Sequence, residues 1–130
     1  METPTPQLRK LGLVPGARWT LVNAPADFRF EAEPDALDRV EQGDAVDVVV
    51  AFARAAAEIP KLLAELEPTI FPAGALWVAW PRKAAGHVSD IKDTTVRNAA
   101  LARSLVDVKV AAISDDWSGL KLVWRTSVRN

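Results

Sequence analysis

Cysteine is absent from this 130-residue chain, and His87 is its single histidine. The first absence excludes disulfide scaffolds, thiolate nucleophiles, iron-sulfur clusters and every cysteine-based zinc site. The second leaves only carboxylates to join His87, so no metal site is expected. An excess of one charge is lacking too. The 16 Lys plus Arg face 17 Asp plus Glu, a net charge of -1, and no long-range field favours nucleic acid or an anionic membrane. No apolar run reaches the roughly 18 residues of a membrane span, and Met1-Glu2-Thr3-Pro4-Thr5-Pro6 is not a basic start to an apolar leader. The expectation is a cytoplasmic protein that engages neither nucleic acid nor membrane.

What is present is a core: 49% of residues are hydrophobic and five are Trp. A chain of this length buries roughly 68% of its unfolded surface, so residues 1 to 130 should form a single domain that needs no metal or disulfide. Its charge is unevenly spread, the first 65 residues standing at -4 and the remainder at +3. Eight carboxylates and two arginines lie between Asp27 and Asp47, a stretch best read as a solvated face or loop.

Residues 1 to 16 read as a short helix and a turn. Thr5 can cap the helix, Pro6 suits its first position, Gly12 its end, and Pro15-Gly16 the turn. Arg18 to Val22 is a strand that stops at Asn23-Ala24-Pro25, because proline cannot donate to a ladder. From Asp27 to Gly43 the pattern is ambiguous between strand and helix. Val46 to Phe52 is a nearly continuous β-branched run, as expected of a strand covered on both faces. Ile59, Leu62, Leu63 and Leu66 recur at helical spacing, and Pro60 places the start of that helix near itself. Pro72-Ala73-Gly74 is a turn, followed by a second two-sided strand, Ala75 to Trp80, closed by Pro81.

Ser89 or Asp90 offers an N-cap to a helix reaching Ser104, with Ile91, Val96, Ala99, Ala100 and Leu105 as its apolar stripe. Residues 106 to 125 alternate polar and apolar and read as a terminal hairpin of two half-exposed strands, joined by a loop from Ser114 to Gly119. Asp107 and Lys109 would lie on one face of an exposed edge strand, a pattern that discourages sheet extension. Trp19, Trp77 and Trp124 are expected in or beside the core.

This order of elements predicts an α/β fold: a mostly parallel open sheet with helices on its faces and a C-terminal antiparallel hairpin. Connections between parallel strands should be right-handed. The tail of strand, helix, strand, helix and two antiparallel strands resembles a truncated class I methyltransferase sheet, Rossmann-like in plan, as does the proline-glycine turn before Ala75. A closer resemblance rests on Ala75 to Lys83, Gly86-His87-Val88 and Asp116 to Val123. Together with Leu11 to Gly16 and Asp47 to Val50, these resemble a small bacterial family of uncharacterised proteins, domain of unknown function three-zero-five-two. That likeness runs from about Leu8 to Arg125. It implies a fold and assigns no catalytic residue.

Cofactor motifs are missing. S-adenosylmethionine and dinucleotide enzymes of such folds use glycines after the first strand so that backbone can approach the ligand. Here the turn reads Val22-Asn23-Ala24-Pro25-Ala26-Asp27, and only Glu31 or Glu33 could serve as the ribose-binding acid. No cofactor and no catalytic residue is therefore assigned. Walker loops, nucleophile elbows and paired helical histidines are absent.

Geometry then supplies the candidate site, since open α/β sheets bind ligands beyond the carboxyl ends of their parallel strands. Those ends present Asn23 and Pro25, Ala53 and Arg54, then Pro81, Arg82 and Lys83, and the hairpin adds Asp115, Asp116, Trp117, Ser118 and Gly119. Arg54, Arg82 and Lys83 could hold a phosphate or carboxylate, and Trp117 could stack on a ring or a cation. Each residue also has a plainer role. Arg82 and Lys83 suit a solvated strand end, the small and acidic residues suit any tight turn, Trp117 could be a lid on the hairpin, and His87 an exposed loop residue. The expected function is a non-catalytic domain that binds a small anionic ligand or a protein partner at this rim. The alternative is a divergent methyl- or group-transferase lacking the glycine loop.

Overall fold

The computed structural model describes residues 10–13, 16–28, 30, 39–41, 45–83, 86 and 88–126. The ambiguous acidic stretch lies largely outside these residues, as do Thr5 to Arg9 of the expected first helix, Pro15, Glu31, Glu33 and His87. Five strands form one sheet: β1 (Trp19–Val22), β2 (Val48–Phe52), β3 (Ala75–Pro81), β4 (Leu105–Ala112) and β5 (Trp117–Trp124). Their order is β1-β2-β3-β5-β4. The first three are mutually parallel, β5 is antiparallel to β3, and β4 is antiparallel to β5. The α/β sheet with a terminal hairpin is therefore observed, with β5 inserted between β3 and the edge strand β4.

Burial on both faces explains why β2 and β3 carry almost no polar residue. Val49, Ala51, Leu76 and Val78 join Leu120 and Leu122 in one cluster beneath helix α1 (Ile59–Leu66) and helix α2 (Asp93–Leu101), which contribute Leu62, Leu63, Val96 and Ala100. The intervening residues Val50, Phe52, Trp77 and Ala79 face the other way and pack with Leu11, Leu13 and Ile113. Leu11 is in helical conformation with Lys10, and Gly12 ends that turn at φ 88, as its permissive backbone suggests. On this second face Trp77 is fully buried, and its indole N–H donates to Leu11 O at 3.0 Å. Trp19 is buried and Trp124 half-buried.

α1 begins beside Pro60, as expected, whereas α2 begins later than its expected caps. α1 starts at Ile59 with Pro60 in its first turn, preceded by a 3-10 turn at Ala56–Glu58. α2 starts at Asp93, with Lys92 as the capping residue. Neither Ser89 nor Asp90 caps it, because each has another backbone partner. Ser89 Oγ accepts from Ile91 N at 3.1 Å, and Asp90 Oδ1 accepts from Ala56 N at 2.9 Å across the fold. At the foot of the sheet Arg103 donates to the buried Glu67 carboxylate at 2.6 Å, and the Trp124 indole donates to Glu67 O at 2.8 Å.

The hairpin also differs. Its loop is shorter than Ser114 to Gly119, since Trp117, Ser118 and Gly119 already belong to β5. In β4 the ladder slips between Asp107 and Lys109: Asp107 pairs with Leu122, but Lys109 pairs with Lys121. Adjacent residues of β5 point to opposite faces, so the extra residue Val108 puts Asp107 and Lys109 on opposite faces, contrary to the expectation that they share one. Asp107 turns to the helix face, where Arg97 Nε donates to it at 3.0 Å and Arg97 also meets Asp93 at 3.3 Å. The hydrogen bond to Asp107 is the chief cause holding the Arg97 pKa above its ordinary value. The bulge bends the edge away from further pairing.

Candidate functional site

The chain leaves β1 and β2 on opposite sides of the sheet. After β1, Phe28 and Phe30 pack on the face of Trp77, whereas after β2 the chain enters α1 on the other face. Arg39 forms an isolated parallel bridge to Trp19. The carboxyl ends of β1 and β2 thus flank a switch point, the place where α/β sheets open a crevice. A cavity of about 470 Å³ lies there on the aromatic face, lined by Pro25, Asp27, Phe28, Arg54, Pro81, Ser114, Asp115, Asp116 and Trp117.

Local structure fixes each wall. Phe28 N donates to Pro25 O at 3.0 Å, closing the turn that carries Asp27 and Phe28 out of β1. The turn after β2 is held by Glu58, whose carboxylate accepts from Arg54 N at 3.0 Å and Ala55 N at 2.8 Å. This clamp leaves the Arg54 guanidinium to lie over the Trp117 ring, 5.6 Å from its centroid. Trp117 pairs with Pro81 across β3 and β5, so two segments 36 positions apart end at the same rim. The hairpin closes with Ile113 N donating to Trp117 O at 2.8 Å, and Asp116 N reaching Ser114 Oγ at 3.3 Å. An edge-to-face aromatic series, Phe28 to Phe52 and Phe52 to Trp117, each at 4.9 Å, forms the floor.

Of the residues expected at the rim, Arg54, Asp116 and Trp117 meet in this cavity, together with Pro25, Pro81 and Asp115. Arg82 stands beside it: its N–H donates to Asp116 O at 2.8 Å, and its guanidinium meets Asp115 O at 3.4 Å. Lys83 is exposed and does not line it. Asn23 lines a separate cavity of about 450 Å³ on the helix side, with Glu58, Lys61 and Glu65. Ser118 pairs with Trp80 and so faces the helices, away from Trp117. Gly119 lies beneath Ile113, where a Cβ would come within 2.6 Å of Ile113 Cδ1; it is small for packing. The sequence reading missed Asp27, Phe28 and Ser114 as wall residues. The alternating Phe28-Arg29-Phe30 was the available signal for an apolar face there.

Among the described residues the lining carries one cation, Arg54, and three carboxylates, Asp27, Asp115 and Asp116. Among the described residues, no hydrogen bond or ion pair engages the Arg54 guanidinium or the Asp27 and Asp115 carboxylates. Such groups are ready to exchange water for a ligand. No group of three or more metal-binding side chains occurs among the described residues, and none of the described helices is long and apolar enough to cross a membrane.

A family profile described as "Protein of unknown function (DUF3052)" matches residues 30–126. The chain belongs to that family. No match was found among the curated proteins. Among solved structures, a protein in the NADB-Rossmann superfamily from Streptococcus agalactiae is similar, with a TM-score of 0.54 and 13% identity over 95% of this chain and 69% of its own. This likeness establishes the Rossmann-like fold and no function. A chain of a fibrillarin/Nop5p complex matches more partially, at a TM-score of 0.41 and 15% identity, over 63% of this chain and 41% of its own.

Proposed function

We propose that this member of the DUF3052 family is a non-catalytic binding domain that takes a small polar ligand in the cavity at the carboxyl ends of β1, β2 and β3. The observation that carries this reading is the Arg54 guanidinium stacked on Trp117 with no ion-pair partner among the described residues, at a switch point of the sheet. A guanidinium in that state offers a fork of donors to a carboxylate or phosphate, and Phe28 and Trp117 supply apolar wall. Among the described residues no histidine lines the cavity, and the one hydroxyl that does, Ser114, accepts from Asp116 N, so no activated nucleophile there supports a catalytic reading. Three carboxylates in the lining argue against a purely anionic ligand. In this reading the domain works in the bacterial cytoplasm as one unit, which suits a chain without cysteine.

Thermal-shift screening with nucleotides, sugar phosphates, organic acids and amino acids tests it. A ligand at 100 times its Kd should stabilise the fold by about 2.7 kcal/mol, and Arg54→Ala should abolish that gain. A panel in which no compound stabilises the protein, or in which Arg54→Ala responds like the parent, would overturn the reading.

One observation supports a second reading, a divergent methyl- or group-transferase. Asn23 holds φ 58, the left-handed conformation that a cofactor-loop glycine would use. Its Cβ and the Pro25 ring still obstruct the close backbone approach such a cofactor needs. Calorimetry should detect no S-adenosylmethionine binding, and a low-micromolar Kd would replace the first reading with this one.

A further inference from the structure

Within the proposed cavity, we infer that the ligand is a zwitterion of the amino-acid class, with an apolar or aromatic side chain; this rests on the binding reading above and names its substrate. The unengaged charges come in both signs. Arg54 offers donors to one carboxylate, and its position over Trp117 restricts the direction of that fork. Asp27 and Asp115, from the turn after β1 and from the hairpin, are acceptors with no partner of their own among the described residues. A simple anion would satisfy Arg54 and leave these carboxylates to repel it. A simple cation would satisfy the carboxylates and be repelled by Arg54. A ligand bearing both an ammonium and a carboxylate answers both sets, and Phe28 with Trp117 gives its side chain an apolar wall. The volume of about 470 Å³ falls within the range of small-molecule sites, roughly 300–1,000 Å³.

L-phenylalanine, phenethylamine and 3-phenylpropionate form a matched probe set, with the amino acid, the amine alone and the acid alone. Binding is read by calorimetry and by the shift of the Trp117 indole N–H resonance, assigned with Trp117→Phe. The expected result is that L-phenylalanine binds at least about tenfold more tightly than either analogue, since each lost charged hydrogen bond removes a factor of that order. Arg54→Ala should weaken L-phenylalanine and 3-phenylpropionate but not phenethylamine. Asp27→Asn with Asp115→Asn should weaken L-phenylalanine and phenethylamine but not 3-phenylpropionate. Equal binding of L-phenylalanine and one analogue would overturn the zwitterion assignment and leave the cavity reading standing. So would a response of the Trp117 resonance to another compound of the wider screen with none to these three. Failure of every compound to move that resonance would overturn both.

Discussion

Gly119→Ala is a severe perturbation for a single methyl group. At this position a Cβ would stand 2.6 Å from Ile113 Cδ1, 2.7 Å from Ile113 Cγ1 and 3.2 Å from Trp77 Cε3. Ile113 is 1% exposed and Trp77 is fully buried, so neither can swing into solvent. The clash reaches Cγ1, and rotation of the terminal methyl alone does not relieve it. Overpacking of this kind costs about 1–3 kcal/mol, while the loss of glycine's unfolded-state freedom offsets about 0.4–1 kcal/mol. A net destabilisation of about 1–2 kcal/mol is expected by urea denaturation, with the m-value unchanged. Ile113→Ala alone should cost about 2–5 kcal/mol by leaving a cavity. Combined, the two substitutions should cost clearly less than their sum, because the new methyl occupies space that the isoleucine vacated. Full additivity, or a Gly119→Ala protein as stable as the parent, would refute the account of Gly119 as a packing residue and return it to the list of candidate ligand contacts.

Trp77→Phe removes the donor to Leu11 O and should destabilise by about 1–3 kcal/mol through the unpaired carbonyl, with additional cost from lost volume; a change below about 0.5 kcal/mol in denaturant melts would show that Leu11 readily finds another donor. Arg82→Ala with Lys83→Ala should alter stability by less than about 0.5 kcal/mol, and, since neither residue lines the cavity, should leave Arg54-dependent binding in the same screen intact. Melting temperature should be unaffected by EDTA and by reductant, as expected of a chain without cysteine whose core is apolar; a marked fall on chelation would reveal a carboxylate ion site in the acidic stretch between Asp27 and Asp47.

Composition and periodicity by themselves determined that β2 and β3 are strands buried on both faces, because an unbroken run of Val, Ala, Leu and Trp finds no other stable place in so short a segment. They also determined the positions of α1 and of the two hairpin strands, and through the order of these elements the α/β class. The carboxyl-end rim followed from topology, which is why Arg54, Asp116 and Trp117 could be chosen before any coordinate. Tertiary structure alone decided which rim residues meet. A one-residue step along β5 sends Trp117 to the aromatic face and Ser118 to the helices, and the slip at Val108 separates Asp107 from Lys109. Local sequence does not encode such phases, because they are set by pairing with strands distant along the chain. The same holds for Asp90, a plausible cap for the helix beside it in sequence, whose carboxylate instead accepts from Ala56 on another element. Phe28 joined the site for a similar reason: its ring packs against Phe52, and only the folded chain brings the turn after β1 over the end of β2.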